Sequence, residues 1–189
     1  MNPLRNQTVE LSPENSGDNS LIELCLADNQ EAQYSLFEKH KFFVLGICLR
    51  YTSSKDDAED YLQEAFIRIF TSLKRKPPMH SLKGWIATIT IRTVIDQIRK
   101  KYKFKTEEIS IEPANENLAI EQLTNMEIIQ LLQSMPTGYR TIFNLYIVEG
   151  YDHTEIAKML DITESTSRSQ LARAKDWIKD KIKTYNLWN

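Results

Sequence analysis

The sequence is poor in the residues that build metal sites, disulfide frameworks and phosphate-binding loops. Its 189 residues include only two cysteines, Cys25 and Cys48, and five glycines. The cysteines show no CxxC or paired Cys/His spacing, which argues against a zinc site or a disulfide framework and predicts a reducing, cytoplasmic location. No Gly-rich phosphate loop is present, and the histidines lack the spacing of a catalytic centre. We therefore predict that the protein is not an enzyme and binds no cofactor or metal.

The chain also lacks long apolar runs and a strong net charge. No stretch reaches the roughly 18 apolar residues of a membrane span, and residues 1–20 contain no apolar signal core. We therefore expect no membrane insertion. The formal net charge is -2, so nucleic-acid binding must come from local basic patches. The 41% hydrophobic content permits a sizeable core.

Helical periodicity and changes of composition divide the chain into four parts. Residues 1–20 are polar and predict a mobile tail. Residues 21–102 place apolar residues three and four positions apart, as helices do. Residues 103–122 collect five glutamates and predict an acidic linker, and residues 123–185 form a second helical block. The sequence thus predicts an all-α fold of two small helical domains joined by a flexible linker.

The segment from His153 to Lys175 predicts two amphipathic helices joined by a short turn. Asp152 and Glu155 form a capping-box pair before the first helix, Asp161 can adopt the left-handed turn conformation, and Thr163 is placed to cap the second helix. Opposite its apolar stripe, the second helix carries short polar and basic residues: Ser165, Thr166, Arg168, Ser169, Gln170 and Arg173. Such side chains let a helix enter the major groove, about 12 Å wide, and contact base edges. The pattern predicts a DNA-binding helix-turn-helix, and a helical hairpin with a solvated polar face is the alternative.

Basic residues accumulate near the end of the first helical block. Arg92, Arg99, Lys100, Lys101, Lys103 and Lys105 are opposed only by Asp96. Together with Trp85 and the loop from Lys74 to Lys83, which contains two prolines, this cluster suits single-stranded DNA, because cations follow phosphates and aromatic rings stack on unpaired bases. Two alternatives stay open: Trp85 can be a core residue that closes a helix pair, and the cations can be a solvated helix end.

An acidic helix start precedes this cluster. The stretch "DDAEDYLQEAFIRIF" places acidic residues at and after a predicted helix start, where they complement the helix dipole: Asp56, Asp57, Glu59, Asp60 and Glu64. Taken alone, these acids favour a capped and solvated helix.

Three segments in this order resemble the extracytoplasmic-function (ECF) sigma factors of bacterial RNA polymerase. They are "DAEDYLQEAFIRIF", "SLKGWIATITIRTVIDQIRK" and "MPTGYRTIFNLYIVEGYDHTEIAKMLDITESTSRSQLARAK". The first two resemble sigma region 2 and the last resembles region 4, so the resemblance covers nearly all of the chain after about residue 21. The sequence "TSRSQLARAK" further resembles a Bacteroidetes-like branch of this family.

The resemblance implies three partners and assigns residues to two of them. The partners are core RNA polymerase, promoter DNA and an inhibitory anti-sigma factor. The implied polymerase contact on the acidic helix comprises Asp57, Asp60, Tyr61, Gln63, Glu64 and Phe66, although Tyr61 and Phe66 also suit the core. The implied minus-ten contact comprises Lys83, Trp85, Arg92, Asp96, Arg99 and Lys100. The implied minus-thirty-five contact comprises Ser165, Thr166, Arg168, Ser169, Gln170 and Arg173.

The sequence departs from the family pattern at three positions. Arg92 stands where Asn is common, Asp161 where Gly is common, and Ser167 where an apolar residue is common. Two other functions compete with the sigma-factor hypothesis. A conventional helix-turn-helix regulator would bind duplex DNA without polymerase. A helical adaptor would bind protein only and would tolerate alanine at Arg168 and Arg173.

Overall fold

The computed structural model describes residues 14–75, 77–78, 81–101 and 125–186. These ranges contain eight α-helices and one π-helical turn but no β-strand, which confirms the all-α prediction. The predicted linker at 103–122, and with it Lys103 and Lys105, lies outside the described residues.

The first domain consists of four helices: α1 (Glu14–Leu26), α2 (Gln30–Tyr51), α3 (Lys55–Arg75) and α4 (Leu82–Lys101). Helices α2, α3 and α4 pack against one another in all three pairs. The Asn29 side chain caps α2 by accepting a hydrogen bond from the Ala32 N–H at 2.9 Å. Helix α1 begins inside the predicted tail, and Asp18 joins it to α2 through an ion pair with Lys39 at 2.6 Å.

Aliphatic and aromatic side chains fill the interior of the first domain. Leu36, Val44, Ile69 and Ile86 are completely buried. Burying one such side chain contributes about 1.5–3 kcal/mol. Helix α3 shows why the sequence predicts this core, because its buried positions recur three and four residues apart.

The second domain consists of shorter elements followed by one long helix. They are α5 (Asn125–Gln133), α6 (Thr137–Phe143), the π-helical turn (Asn144–Val148), α7 (His153–Leu160) and α8 (Glu164–Asn186). Pro136 immediately precedes α6 and its carbonyl accepts a hydrogen bond from the Arg140 N–H at 2.9 Å. Gly150, at φ 77°, adopts the left-handed conformation that a helix terminator requires.

The two domains share a continuous apolar core. Helices α5 and α6 pack against α2, and α7 contacts α4. Ile142, Leu145 and Ile156 of the second domain belong to the same buried cluster as Ile47 and Ile86 of the first. The sequence predicts two domains on a tether; the structure adds direct packing between them.

Candidate functional site

The helix-turn-helix has the local geometry that the sequence predicts. The Asp152 carboxylate accepts a hydrogen bond from the Glu155 N–H at 2.8 Å, and the Glu155 carboxylate accepts one from the Asp152 N–H at 2.9 Å. Helix α7 ends at Asp161, whose φ of 57° is left-handed. The Thr163 hydroxyl then caps α8 by accepting from the Thr166 N–H at 3.0 Å. The turn is therefore fixed by side-chain caps on both sides.

Helix α8 divides into a buried side and an exposed side. Ser167, Leu171 and Ala174 are buried against the rest of the second domain. The predicted DNA-facing residues with exposed side chains are Ser165, Arg168, Ser169 and Arg173. Thr166 and Gln170 are half-buried. The structure thus brings all six residues to one polar side of the helix or to its edges.

Arg168, one of these exposed arginines, has an ion-pair partner at the start of α8. Arg168 forms an ion pair with Glu164 at 3.1 Å, one helical turn earlier. The Thr154 hydroxyl of α7 donates to the same carboxylate at 2.8 Å. The hydrogen bond from Thr154 and the one from Arg168 hold the pKa of Glu164 below its usual range. Because this ion pair is exposed, Arg168 can exchange it for a phosphate or a base edge at small cost.

A polar contact explains the serine at the buried position of α8. Ser167 is 0% exposed, and its hydroxyl lies 2.9 Å from Nδ1 of His153 on α7. The His153 ring also stacks on Tyr146, with centroids 4.6 Å apart. Burial, followed by the charge of Arg168, holds the pKa of His153 below its ordinary value. Ser167 therefore replaces an apolar contact by a hydrogen bond between the two helices.

The outward face of α3 carries only part of the residue set implied for polymerase binding. Asp60 and Gln63 are exposed, and Ile67 continues the same face at 62% exposed. Tyr61 and Phe66 are only 9% and 4% exposed, so we assign them to the core rather than to the contact surface. The sequence analysis missed Ile67, although it stands four residues after Gln63 and seven after Asp60, the spacing of one helical face.

Two ion pairs tie the acidic face of α3 to α4. Asp57 pairs with Lys101 at 2.8 Å, and the hydrogen bond from Lys101 lowers the pKa of Asp57. Arg68 donates to Asp96 at 2.6 Å, and it also pairs with Glu64 at 3.0 Å.

The ion pair with Arg68 explains why one acidic residue, Asp96, stands among the basic residues of α4. Asp96, predicted at the minus-ten surface, is engaged by α3 and can orient that surface. Glu64 is likewise half-buried in this network.

The remaining predicted minus-ten residues lie along α4. Arg92, Arg99 and Lys100 are exposed. The Lys83 ammonium lies 4.8 Å from the centroid of the Phe43 ring, and Trp85 is half-buried against the core. Trp85 therefore packs against the core, as one of the two interpretations of this residue predicts. It is only half-buried, so part of its side chain is accessible to solvent.

A set of polar side chains where the two domains meet was not singled out in the sequence. Arg140 is 2% exposed and donates to the backbone of Tyr51, 89 residues earlier. Asn144, which is also buried, donates to the backbone of Arg50 at 2.7 Å. A signal was available, because two polar residues four apart in "YRTIFN" interrupt an apolar helix face.

Within the part of the chain that the structure describes, no group of three or more His, Cys, Asp or Glu side chains is arranged to hold a metal ion. No helix in the same ranges is long and apolar enough to cross a membrane.

Comparisons with known proteins match both domains. The sigma-70 region 2 family matches residues 36–104, and the sigma-70 region 4 family matches residues 125–178. The chain is 26% identical to the ECF RNA polymerase sigma factor SigE of Mycolicibacterium smegmatis over 153 residues, which span 77% of this chain and 59% of that protein. It is 25% identical to the ECF RNA polymerase sigma-E factor of Escherichia coli over 180 residues, 87% of this chain and 94% of that one.

A structural comparison aligns the chain with the solved structure of CnrH in complex with the cytosolic domain of CnrY. That likeness has a TM-score of 0.48 and 18% identity, and it covers 88% of this chain and 97% of the other. The two sigma-70 matches lie in the order of the two domains described above and together cover most of the residues. The chain therefore belongs to the ECF sigma factors, which give bacterial RNA polymerase its promoter specificity.

Proposed function

We propose that the exposed side of α8 reads the minus-thirty-five element of the promoter. The observation that carries this proposal is the doubly capped helix-turn-helix, which presents Ser165, Arg168, Ser169 and Arg173 on one open face. Each good bidentate contact between an arginine and a base is worth about 1–3 kcal/mol of discrimination. Arg173→Ala should therefore weaken binding to the cognate element, with Lys175→Ala as a control that removes an exposed charge from the same helix.

The exposed cations of α4 are proposed to hold the opened minus-ten element. Arg99 and Lys100 lie at the helix end, and the accessible part of Trp85 lies at its beginning. Stacking of one unpaired base on an aromatic ring is worth about 1–3 kcal/mol. This is comparable with the cost of unstacking one step, so strand opening requires several captured bases and the polymerase. Arg92, in the place of the common Asn, is expected to add phosphate affinity.

The contact with core polymerase is proposed to use the outward face of α3 around Asp60, Gln63 and Ile67. This face combines acidic and amide groups with one exposed aliphatic side chain. Replacing Asp60 and Gln63 together with alanine should weaken core binding without unfolding the domain, because both are exposed. The control is Glu23→Ala on the exposed side of α1. Unchanged core affinity in the double variant would refute this assignment.

We also propose where the protein acts and which further partner binds it. The chemistry of RNA synthesis belongs to the polymerase, and the chain acts in the cytoplasm. By its resemblance to the family, an anti-sigma protein is expected to cover the faces of α3 and α8, in competition with polymerase and DNA. The Bacteroidetes-like branch stays a prediction.

The decisive experiment is transcription in vitro from genomic fragments by core polymerase, with and without this protein, followed by mapping of the RNA starts. New starts that share two upstream elements at a fixed spacing are expected. A conventional regulator or a protein-binding adaptor would produce no new starts from core polymerase alone. If the protein also failed to bind core polymerase, the assignment of the α3 face would fall.

A further inference from the structure

The two exposed arginines of α8 differ in how their side chains are held. Arg168 pairs with Glu164, one turn earlier in the same helix, through its Nη2 atom at 3.1 Å. Arg173 makes no side-chain hydrogen bond or ion pair with the residues that the structure describes. A side chain that is already restrained loses less freedom when it binds. Arg168 therefore meets DNA partly ordered, whereas Arg173 does not.

The partner of Arg168 is itself fixed by the other helix of the motif. Glu164 is the first residue of α8 and directly follows the capping Thr163. Its Oε1 atom accepts a hydrogen bond from the Thr154 hydroxyl of α7 at 2.8 Å, and its Oε2 atom accepts from Arg168. A series of side-chain hydrogen bonds therefore runs from α7 through the carboxylate to the guanidinium. The position of Arg168 thus depends on both helices of the motif.

The Glu164 carboxylate places a negative charge beside the exposed side of α8. Hydrogen bonds from Thr154 and from Arg168 hold the pKa of Glu164 below its ordinary value, so the group is ionised at neutral pH. A phosphate that approached the Arg168 guanidinium would also approach this carboxylate, and two negative charges repel each other. A base edge carries no net charge. The carboxylate therefore favours contact of Arg168 with a base over contact with a phosphate.

The ion pair with Glu164 leaves Arg168 able to read a base. A guanidinium carries N–H donors in a planar fork, and a bidentate contact with guanine needs only two of them. The contact with Glu164 uses one terminal nitrogen, and the Arg168 side chain is 63% exposed. Residues at the start of a recognition helix are also the ones that contact base edges. Arg168 can therefore hold Glu164 and a base at the same time.

We propose that Thr154 and Glu164 are positioning residues that set the base specificity of Arg168 within the minus-thirty-five element. This inference rests on the proposed function of α8 and deepens it, because it names two residues that act through Arg168. Glu164 orients the guanidinium and disfavours phosphate beside it, and Thr154 fixes the carboxylate. Without the charge of Glu164, Arg168 is free to contact neighbouring phosphates, which carry no sequence information directly.

Transcription from a promoter with a randomised minus-thirty-five element tests this proposal. The promoter is one that core polymerase transcribes only with the full-length wild-type protein, and a transcribed tag identifies each template. The wild-type protein should prefer one base pair about tenfold or more at the position that Arg168 reads, and Arg168→Ala identifies that position. Glu164→Gln keeps the size of the side chain and an oxygen acceptor but removes the charge. It should reduce the preference about fivefold at that position and leave the other positions unchanged.

Further variants separate positioning from other roles. In the Arg168→Ala background, Glu164→Gln should have no further effect at that position, because residues that act through one another do not have additive effects. Thr154→Val removes the hydroxyl at nearly constant volume and should cause a smaller loss at the same position, whereas Thr154→Ser should keep the preference. The control is Asp176→Asn, which makes the same change from carboxylate to amide at an exposed position farther along α8. It should leave every preference unchanged.

Three results would overturn the proposal. One is an equal loss of preference at all positions in Glu164→Gln, which a merely structural role predicts. Another is an undiminished preference in that variant. The third is a further loss in the Arg168→Ala background, which would mean that Glu164 contacts a base itself. If the wild-type protein produced no new RNA starts with core polymerase, the proposed function would fall, and this inference with it.

Discussion

The two domains bury polar side chains in different ways. In the first domain the buried threonines bond within their own helices: Thr90 donates to the Ile86 carbonyl at 2.8 Å and Thr93 to the Ile89 carbonyl at 2.8 Å. In the second domain Thr141 also bonds within its own helix, to the Thr137 carbonyl at 2.7 Å, but Arg140 and Asn144 reach α2 and Ser167 reaches α7. The hydrogen bonds of these buried threonines are therefore local, whereas the second domain also buries polar contacts between elements.

The helices of the two domains also differ in length. Helices α2, α3 and α4 have 22, 21 and 20 residues, while α6 and α7 have 7 and 8. Isolated helices shorter than about 12–15 residues are marginal in water. The short helices of the second domain must therefore be stabilised by caps and neighbours. We expect apolar truncations to dominate in the first domain and loss of caps to dominate in the second.

The largest effect is expected from a cavity in the first domain. Ile69→Ala removes a side chain that is 0% exposed in the centre of α3 and should lower the free energy of unfolding by about 2–5 kcal/mol. Urea denaturation measures the change. The matched control is Ile67→Ala on the same helix, at an exposed position, which should cost less than about 0.5 kcal/mol. Equal losses in the two variants would contradict the buried core described for α3.

A cap deletion is expected to have the next largest effect. Asp152→Ala removes half of the capping box of α7 and should cost about 1 kcal/mol. Amide hydrogen exchange should become about fivefold faster throughout this 8-residue helix. Asn29→Ala removes the corresponding cap of α2, where exchange should rise only in the first turn of 22 residues. The same spread of exchange in both helices would remove the contrast between the domains.

A smaller effect, of opposite sign, is expected at the two aspartates with positive φ. Asp161→Gly should stabilise the second domain by about 0.5 kcal/mol, since glycine adopts this conformation without steric cost but loses more chain entropy. Asp28, at φ 59° in the first domain, also pairs with Lys74 at 2.5 Å. Asp28→Gly should therefore stabilise the protein less than Asp161→Gly does, or should destabilise it. Thermal unfolding of both variants measures the difference, and a larger gain at position 28 would contradict it.

The sequence predicted features that depend on neighbouring residues. The capping box of Asp152 and Glu155, the left-handed Asp161 and the cap at Thr163 are all confirmed, because each involves residues within a few positions of one another. The buried stripe of α8 follows equally from helical periodicity. Family resemblance then identified the two helical blocks as sigma regions 2 and 4, and the family matches confirm this. The partner that each domain contacts stays a prediction.

Features that depend on distant residues were not predicted. The contacts between the end of α2 and the second domain bring together residues 84 to 99 positions apart, and no local pattern specifies such pairs. Tyr61 and Phe66 belong to a motif whose neighbours Asp60 and Gln63 face outward, and the sequence left both the core and the contact surface open for them. The packing of α3 against its partners places both residues in the core.

The smallest expected effect is a dependence of stability on pH, with one histidine in each domain. Burial, aided by Lys39, lowers the pKa of His40, and burial with Arg168 lowers that of His153. The unfolded chain, with histidine pKa values near 6.5, then binds more protons than the folded protein just below that value. The stability contribution is complete above about pH 6.5 and is lost as the pH falls toward the lower folded pKa values.

Urea denaturation at pH 7.5 and pH 5.5 should therefore show a less stable protein at the lower pH, and the two histidines should contribute unequally. His40 is buried and its Nε2 has no hydrogen-bond partner among the described residues, whereas His153 is half-buried and lies beside the Ser167 hydroxyl. His40→Gln should remove most of the difference between the two pH values, and His153→Gln a smaller part. The readout is this difference, so a uniform loss of stability in either variant does not affect it. If His153→Gln removed the larger part of the stability difference between the two pH values, burying a charged histidine would cost more in the second domain than in the first. That result would contradict the contrast between the apolar first domain and the polar second domain.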